Sequence, residues 1–141
     1  MRFPYRKQPN FLNPHQPWIS RPVIPVCLFH HSQQVQVEAL IDSGADATLF
    51  HSSIGKVLGI DLEAGRRARF FGVSGDPIDV YFHPVQLQVV GAGEPVEMEV
   101  GFTNARGVAA LLGQIGFFDH FRVTFQRAKD QVEVTPLPHR G

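Results

Sequence analysis

The chain has 141 residues, 43% hydrophobic and 18% charged, with thirteen acidic and thirteen basic side chains. That size suits one compact domain that buries its core without a disulfide or a metal, and the composition is neither that of a disordered chain nor that of a membrane chain. The charge balance gives no electrostatic pull towards nucleic acid or an anionic membrane, so neither is expected as a partner.

Residues 1–22 hold Pro4, Pro9, Pro14, Pro17 and Pro22, a density that excludes regular helix and predicts an extended or disordered N-terminal arm. Phe11, Leu12, Trp18 and Ile19 are the side chains through which the arm would dock. No continuous apolar segment follows the charges of Met1–Lys7, and no run approaches the roughly 20 apolar residues of a membrane helix. A soluble, cytoplasmic protein without signal peptide is the resulting expectation. Residues 23–136 form the expected domain, with 137–141 as a short tail.

The domain opens on the apolar run Val23–Phe29, in which the single cysteine, Cys27, reads as a small core residue and leaves no partner for a disulfide. His30–Gln33 predicts a turn into a strand over Gln34–Ile41, with Val35, Val37, Ala39 and Ile41 on one face. Beyond the Asp42 segment, Ser52 or Ser53 is placed to cap a short helix that runs to Leu58 and ends at Gly59. Alternation continues in Val85–Val89, and a turn at Gly91–Glu94 leads into Val96–Phe102, apolar at even positions. Ile115–Phe121 predicts a second short helix with Asp119 and His120 outward, and Val123, Phe125, Val132 and Val134 mark a last pair of strands. Many short strands separated by turn signals make the fold class all-β.

Asp42-Ser43-Gly44 stands directly after the strand ending at Ile41. There a carboxylate is held on a tight turn where backbone amides can bond it, and Ser43 adds a hydroxyl for a neighbouring loop. These three residues alone are ordinary turn formers. Their surroundings are more specific. Ala39-Leu40-Ile41-Asp42-Ser43-Gly44-Ala45-Asp46-Ala47-Thr48-Leu49-Phe50 resembles the active-site segment of the retropepsins, the aspartic peptidases typified by retroviral proteases. Ala109-Ala110-Leu111-Leu112-Gly113 is similar to the aliphatic pair and glycine that pack behind the catalytic loop in that family. Gly116–Phe125 resembles the form this segment takes in bacterial members, and Phe71-Gly72-Val73-Ser74-Gly75-Asp76-Pro77 resembles the flap.

The resemblance implies a closed β-barrel with a flap hairpin and one or two short helices. It implies Asp42 as the catalytic carboxylate, with Ser43 and Gly44 bracing it, and Ala45, Asp46, Phe71, Gly72, Val73, Ser74 and Gly75 as the substrate-binding surface. Thr48, Leu111, Leu112 and Gly113 would support the site. No metal or other cofactor is implied. One Asp-Ser/Thr-Gly in a chain of this length supplies one carboxylate, whereas the chemistry needs two about a water, so the expected partner is a second copy in a homodimer. The substrate would be a peptide in extended conformation, added like a strand beneath the flap. Apolar pockets are expected from Phe70, Phe71, Val73 and Ile78.

One position departs from the retroviral pattern. An Arg there follows the aliphatic-aliphatic-Gly segment and pairs with the Asp that corresponds to Asp46. Here the residue is Gln114, which leaves Asp46 to Arg122, to one of Arg66, Arg67 and Arg69, or to solvent. Other readings are weaker. Adjacent histidines such as His30 and His31 point to opposite faces of a strand, without a carboxylate at ligand spacing. Gly72-Val73-Ser74-Gly75 lacks the spacing of a serine nucleophile elbow. The rival from another class is a non-catalytic module of the same fold that dimerises or binds peptides.

Overall fold

The computed structural model describes residues 1–71 and 75–138. The polypeptide runs through β1 (Arg2–Pro4), β2 (Arg6–Pro9), β3 (Trp18–Arg21), β4 (Val23–His30), β5 (Gln33–Ile41), β6 (Leu49–His51), α1 (Ser52–Val57), β7 (Arg66–Phe71), β8 (Pro77–Val89), β9 (Val96–Thr103), β10 (Ala110–Leu112), α2 (Phe117–His120), β11 (Phe121–Gln126) and β12 (Gln131–Pro136). Short 3-10 turns at Leu62–Ala64 and Arg127–Lys129 complete it.

Six strands close on themselves in the order β4-β5-β10-β6-β9-β8, and β8 pairs back onto β4. Closure removes the free edges that an open sheet would expose. The long β8 makes this possible. Its residues Gln86–Val89 pair with β4, Tyr81–Leu87 with β9, and Pro77–Phe82 with β7, which projects beyond the barrel as a hairpin. Ile24, Val26, Leu28, Phe50, Leu87, Val89, Val100, Phe102 and Leu112 fill the barrel with no exposed surface. Each such side chain contributes roughly 1.5–3 kcal/mol of hydrophobic stabilisation.

The alternation over Gln34–Ile41 places its apolar face as the pattern requires: Ala39 and Ile41 are buried, and Val35 and Val37 pack against the same core. His31 and Ser32 make the β4–β5 turn, with His31 at φ 52. Cys27, expected in the core, lies on the opposite, outer face of β4. It is half-buried, with Sγ 3.9 Å from Gln36 Oε1, because the core face is taken by Ile24, Val26 and Leu28. At α1 the cap is His51 and not a serine: its Nδ1 accepts from the Ser53 N–H at 3.2 Å. Gly59 ends the turn at φ 72, a left-handed conformation that costs glycine nothing. The second helix is shorter than Ile115–Phe121, since Ile115 is spent on backbone bonds to the Asp42 segment.

The N-terminal residues also differ from expectation. Phe3 on β1 is 7% exposed, and β1 pairs antiparallel with β12 in a sheet ordered β1-β12-β11. Of the side chains expected to dock, Phe11, Leu12 and Trp18 stand 92%, 88% and 58% exposed and Ile19 is half-buried, while the buried contact of the segment is Phe3. The reason is register: Arg2, Phe3 and Pro4 match Glu133, Val132 and Gln131, which sets Phe3 opposite fully buried Val132. Phe125, which alternates with Val123 in the sequence, is 41% exposed on β11.

Candidate active site

β10 lies between β5 and β6, parallel to the first (Leu112↔Ile41) and antiparallel to the second (Leu111↔Leu49). The connection from β5 to β6, residues 42–48, must therefore pass over the end of β10. Asp42 is the first residue of that loop. Its N–H donates to Leu112 O at 2.9 Å, so the last rung of the β5–β10 ladder anchors the Asp42 backbone.

The loop then turns back on the carboxylate. Gly44 N–H donates to Asp42 Oδ1 at 3.0 Å, and Ala45 N–H donates to Asp42 O at 3.1 Å. A charge-assisted bond of the first kind fixes the rotamer of Asp42. Asp42 is half-buried, and Ser43 and Gly44 are exposed. In one chain the carboxylate thus lies at an open edge.

A second loop, 113–116, locks the first from behind. Gln114 N–H donates to Ala45 O, and Ile115 N–H to Asp46 O, each at 2.9 Å; Thr48 N–H donates to Ile115 O at 3.1 Å. Thr48 has no exposed surface, and its Oγ1 accepts from Gly113 N–H (3.2 Å) and Phe117 N–H (3.1 Å) while donating to Ile115 O (3.0 Å). One buried hydroxyl satisfies two backbone donors that the tight crossing would otherwise leave unpaired, and adds a second bond to Ile115 O. Gly113 is fixed by space: a Cβ there would fall on the carbonyls of Ala47 and Ala45, 2.7 Å from the latter oxygen.

Gln114 has a role that its departure from the retroviral pattern did not disclose. Its Nε2 donates to Ser43 O at 2.7 Å, so the amide holds the loop one residue after Asp42. Among the described residues Asp46 makes no ion pair, and it is exposed. Of the arginines considered for it, Arg66 pairs with Glu99 at 2.5 Å, Arg67 and Arg69 pair with Asp79 at 3.3 and 3.2 Å, and Arg122 makes no ion pair among the described residues. Solvent is the outcome for Asp46.

The β7–β8 hairpin packs next to the end of the Asp42 loop. Phe71 pairs with Pro77, and Gly75 stands at φ 83 in the tip. Gly72, Val73 and Ser74 lie outside the described residues. Phe70 and Ile78 are half-buried against Ala47, Leu49, Val80 and Phe82, so the hairpin rests on the segment that follows the Asp42 loop. Phe71 is 72% exposed. Of the expected apolar pocket residues, the described ones thus divide into two packed and one projecting. On the opposite face, Arg69 and then Arg67 hold the Asp79 carboxyl below its ordinary range by hydrogen bonding and charge.

No family model matches the sequence, and no curated protein does. Solved structures do. The EIAV protease in complex with the inhibitor HBY-793 is 18% identical, with TM-score 0.50, over 75% of this chain and 86% of that one. A retropepsin-like aspartic protease from Rickettsia conorii is 15% identical, with TM-score 0.59, over 79% and 88%. The retroviral protease-like domain of Ddi1 from Leishmania major is 16% identical, with TM-score 0.59, over 86% and 98%. The chain has the retropepsin-like fold.

Proposed function

We propose that the chain is one subunit of a retropepsin-like aspartic endopeptidase, with Asp42 as half of its catalytic dyad. The observation that carries this reading is the Asp42 loop itself. A carboxylate is oriented by a backbone N–H at 3.0 Å, braced from behind by a second loop, and left at an open edge. A structural aspartate would be better served by a closed set of partners.

In the proposed mechanism Asp42 of each copy meets across a two-fold axis. Two carboxylates so close cannot both ionise; one stays charged and the other holds a proton. The ionised member takes a proton from a water bound between them, and that water attacks the scissile carbonyl. The protonated member donates to the carbonyl oxygen as the tetrahedral intermediate forms. When the intermediate collapses, the C–N bond breaks and the protonated member gives its proton to the leaving amine. The ionised member takes a proton from a hydroxyl of the intermediate, which restores the pair's single proton. Ser43 braces the pair by hydrogen bonding across the axis. The β7–β8 hairpin, including Phe71 and Gly75, closes over an extended peptide whose main chain pairs with it, and the surface about Ala45 and Asp46 receives the flanking residues. The second carboxylate, the water and the substrate are elements of this proposal.

The test is cleavage of an unbiased peptide library between about pH 4 and 7, a window suited to a carboxyl dyad, by the parent chain and by Asp42→Asn. Cleavage by the parent alone, with a rate that rises and falls across that window as the two macroscopic ionisations of the pair predict, supports the peptidase. Equal cleavage by both, or none by a parent shown to be dimeric, leaves the non-catalytic peptide-binding or dimerisation module as the better reading.

A further inference from the structure

Residues 6–21 form an element that the barrel does not use. β2 and β3 pair with each other and, among the described residues, with no other strand. Isolated two-stranded hairpins are marginal in water unless something packs on them. Yet the tip is well built. Asn10 N–H donates to Pro17 O at 2.9 Å, and the side chains of Asn10 and Asn13 accept from Leu12 N–H and His15 N–H at 3.0 Å. The result is a shaped tip that holds Phe11 and Leu12 in solvent at 92% and 88% exposure, with Trp18, paired with Pro9 at the start of β3, at 58%. Large apolar side chains held outward on a formed turn are characteristic of a contact surface, not of a linker.

The root of the hairpin identifies the occupant. Pro22 O accepts the Ile41 N–H at 2.9 Å, and Arg6 reaches Glu38 of β5 at 3.4 Å. The hairpin therefore leaves the body at the end of β5 that carries Asp42, the edge where the proposed dyad is incomplete. Charge agrees with this placement. Residues 1–22 carry Arg2, Arg6, Lys7 and Arg21 and no acidic residue; with thirteen of each sign in the chain, the remainder has nine basic residues against thirteen acidic ones. Arg2 and Arg6 pair with Glu133 and Glu38 of their own chain. Among the described residues Lys7 and Arg21 make no ion pair, and neither does exposed Asp46, whose carbonyl holds Ile115. These opposite charges are complementary between two copies. The same edge also offers an apolar seat. Ile115 is 58% exposed although both its backbone groups are bonded to the Asp42 loop, to Asp46 O and from Thr48 N–H.

We propose that the β2–β3 hairpin is a clasp that crosses to a second copy and seats Phe11, Leu12 and Trp18 about that copy's Ile115, with each chain contributing one clasp. The inference rests on the dimeric reading of the Asp42 site and names the surface that would hold the dimer together. Two-fold symmetry makes the exchange reciprocal, so a weakened clasp is lost twice per dimer.

The experiment compares the dimer dissociation constant of the full chain with that of Phe11→Ser/Leu12→Ser by sedimentation equilibrium. Both residues are nearly fully exposed, so the thermal melt of the diluted, monomeric variant matches the parent. The dimer constant weakens by at least about tenfold, as truncation of an apolar anchor does. In a Cys27→Ser background, a chain carrying Leu12→Cys and a differently tagged chain carrying Ile115→Cys form an inter-chain disulfide on mixing and oxidation. An unchanged dimer constant, or a dimeric mixture that yields no inter-chain product, overturns the clasp. So does binding of the parent to phosphatidylglycerol vesicles that the double variant loses while its dimer constant stays the same. None of these readouts uses cleavage, so the clasp can fail while the dyad stands.

Discussion

Two adjoining segments are held in opposite ways. The Asp42 loop is crossed by the 113–116 loop, and nearly every backbone group between Asp42 and Thr48 that faces inward has a partner within 3.2 Å. The β7–β8 hairpin has one paired edge, a half-buried apolar face and ion pairs on its solvent side. Chemistry that depends on sub-ångström placement belongs on the first, and a cover that must admit and release a peptide belongs on the second. Substitutions in the two segments should therefore fail differently: in the loop by loss of the fold or of the rate, in the hairpin by loss of substrate affinity.

The largest effect expected is that of Asp42→Asn, an isosteric change that keeps an oxygen to accept the Gly44 N–H; it leaves the melting temperature unchanged within about 2 °C and removes cleavage. Loss of fold instead would show that Asp42 is structural and erase the contrast. Next is Gly113→Ala, whose methyl meets backbone carbonyls on the crossing strand. It should destabilise the chain by about 3 kcal/mol or more, measured by urea unfolding. Thr48→Val keeps the volume but strips the acceptor from Gly113 N–H and Phe117 N–H. Two orphaned buried donors cost about 3 kcal/mol together, and kcat falls with little change in KM.

In the hairpin, Phe70→Ala removes a half-buried ring from the cluster with Ala47 and Leu49. A cost of about 2 kcal/mol is expected, with KM rising more than kcat falls. An equal loss of both would mean that the hairpin is part of the rigid site after all. The smallest effect is that of Gln114→Ala, which deletes the 2.7 Å bond to Ser43 O at an exposed position. About 1 kcal/mol is the upper bound, read as a small drop in kcat at constant KM.

Legibility along the chain followed the physical signal. The alternation of Val35, Val37, Ala39 and Ile41 located β5 and its core face, because one buried face forces a period of two. Asp42, Thr48 and Gly113 were picked out together by the resemblance to the retropepsins; that they meet where two loops cross tightly is visible only in the fold. Gln114 was visible only as a departure; that its amide would reach Ser43 O depends on the path of two loops 71 positions apart, which no local pattern encodes. Phe3 was missed because a three-residue strand carries almost no periodic signal, and its burial comes from pairing with β12 near the far end of the chain. Phe11 and Leu12 look like core residues by composition alone, and only the isolated hairpin pairing reveals that they face outward. The tip of the flap, Gly72–Ser74, was read from a glycine-flanked pattern that the described residues do not reach.

The central claim is that the catalytic unit needs Asp42 from two chains, and subunit mixing tests it most directly. Equal amounts of the parent and Asp42→Asn chains are equilibrated through the monomer, and cleavage is measured per total protein. If each site takes one carboxylate from each copy and pairing is random, about a quarter of the dimers keep both and the activity falls to about a quarter. A fall to only about half would mean that each chain works with its own carboxylate alone, and would contradict the account.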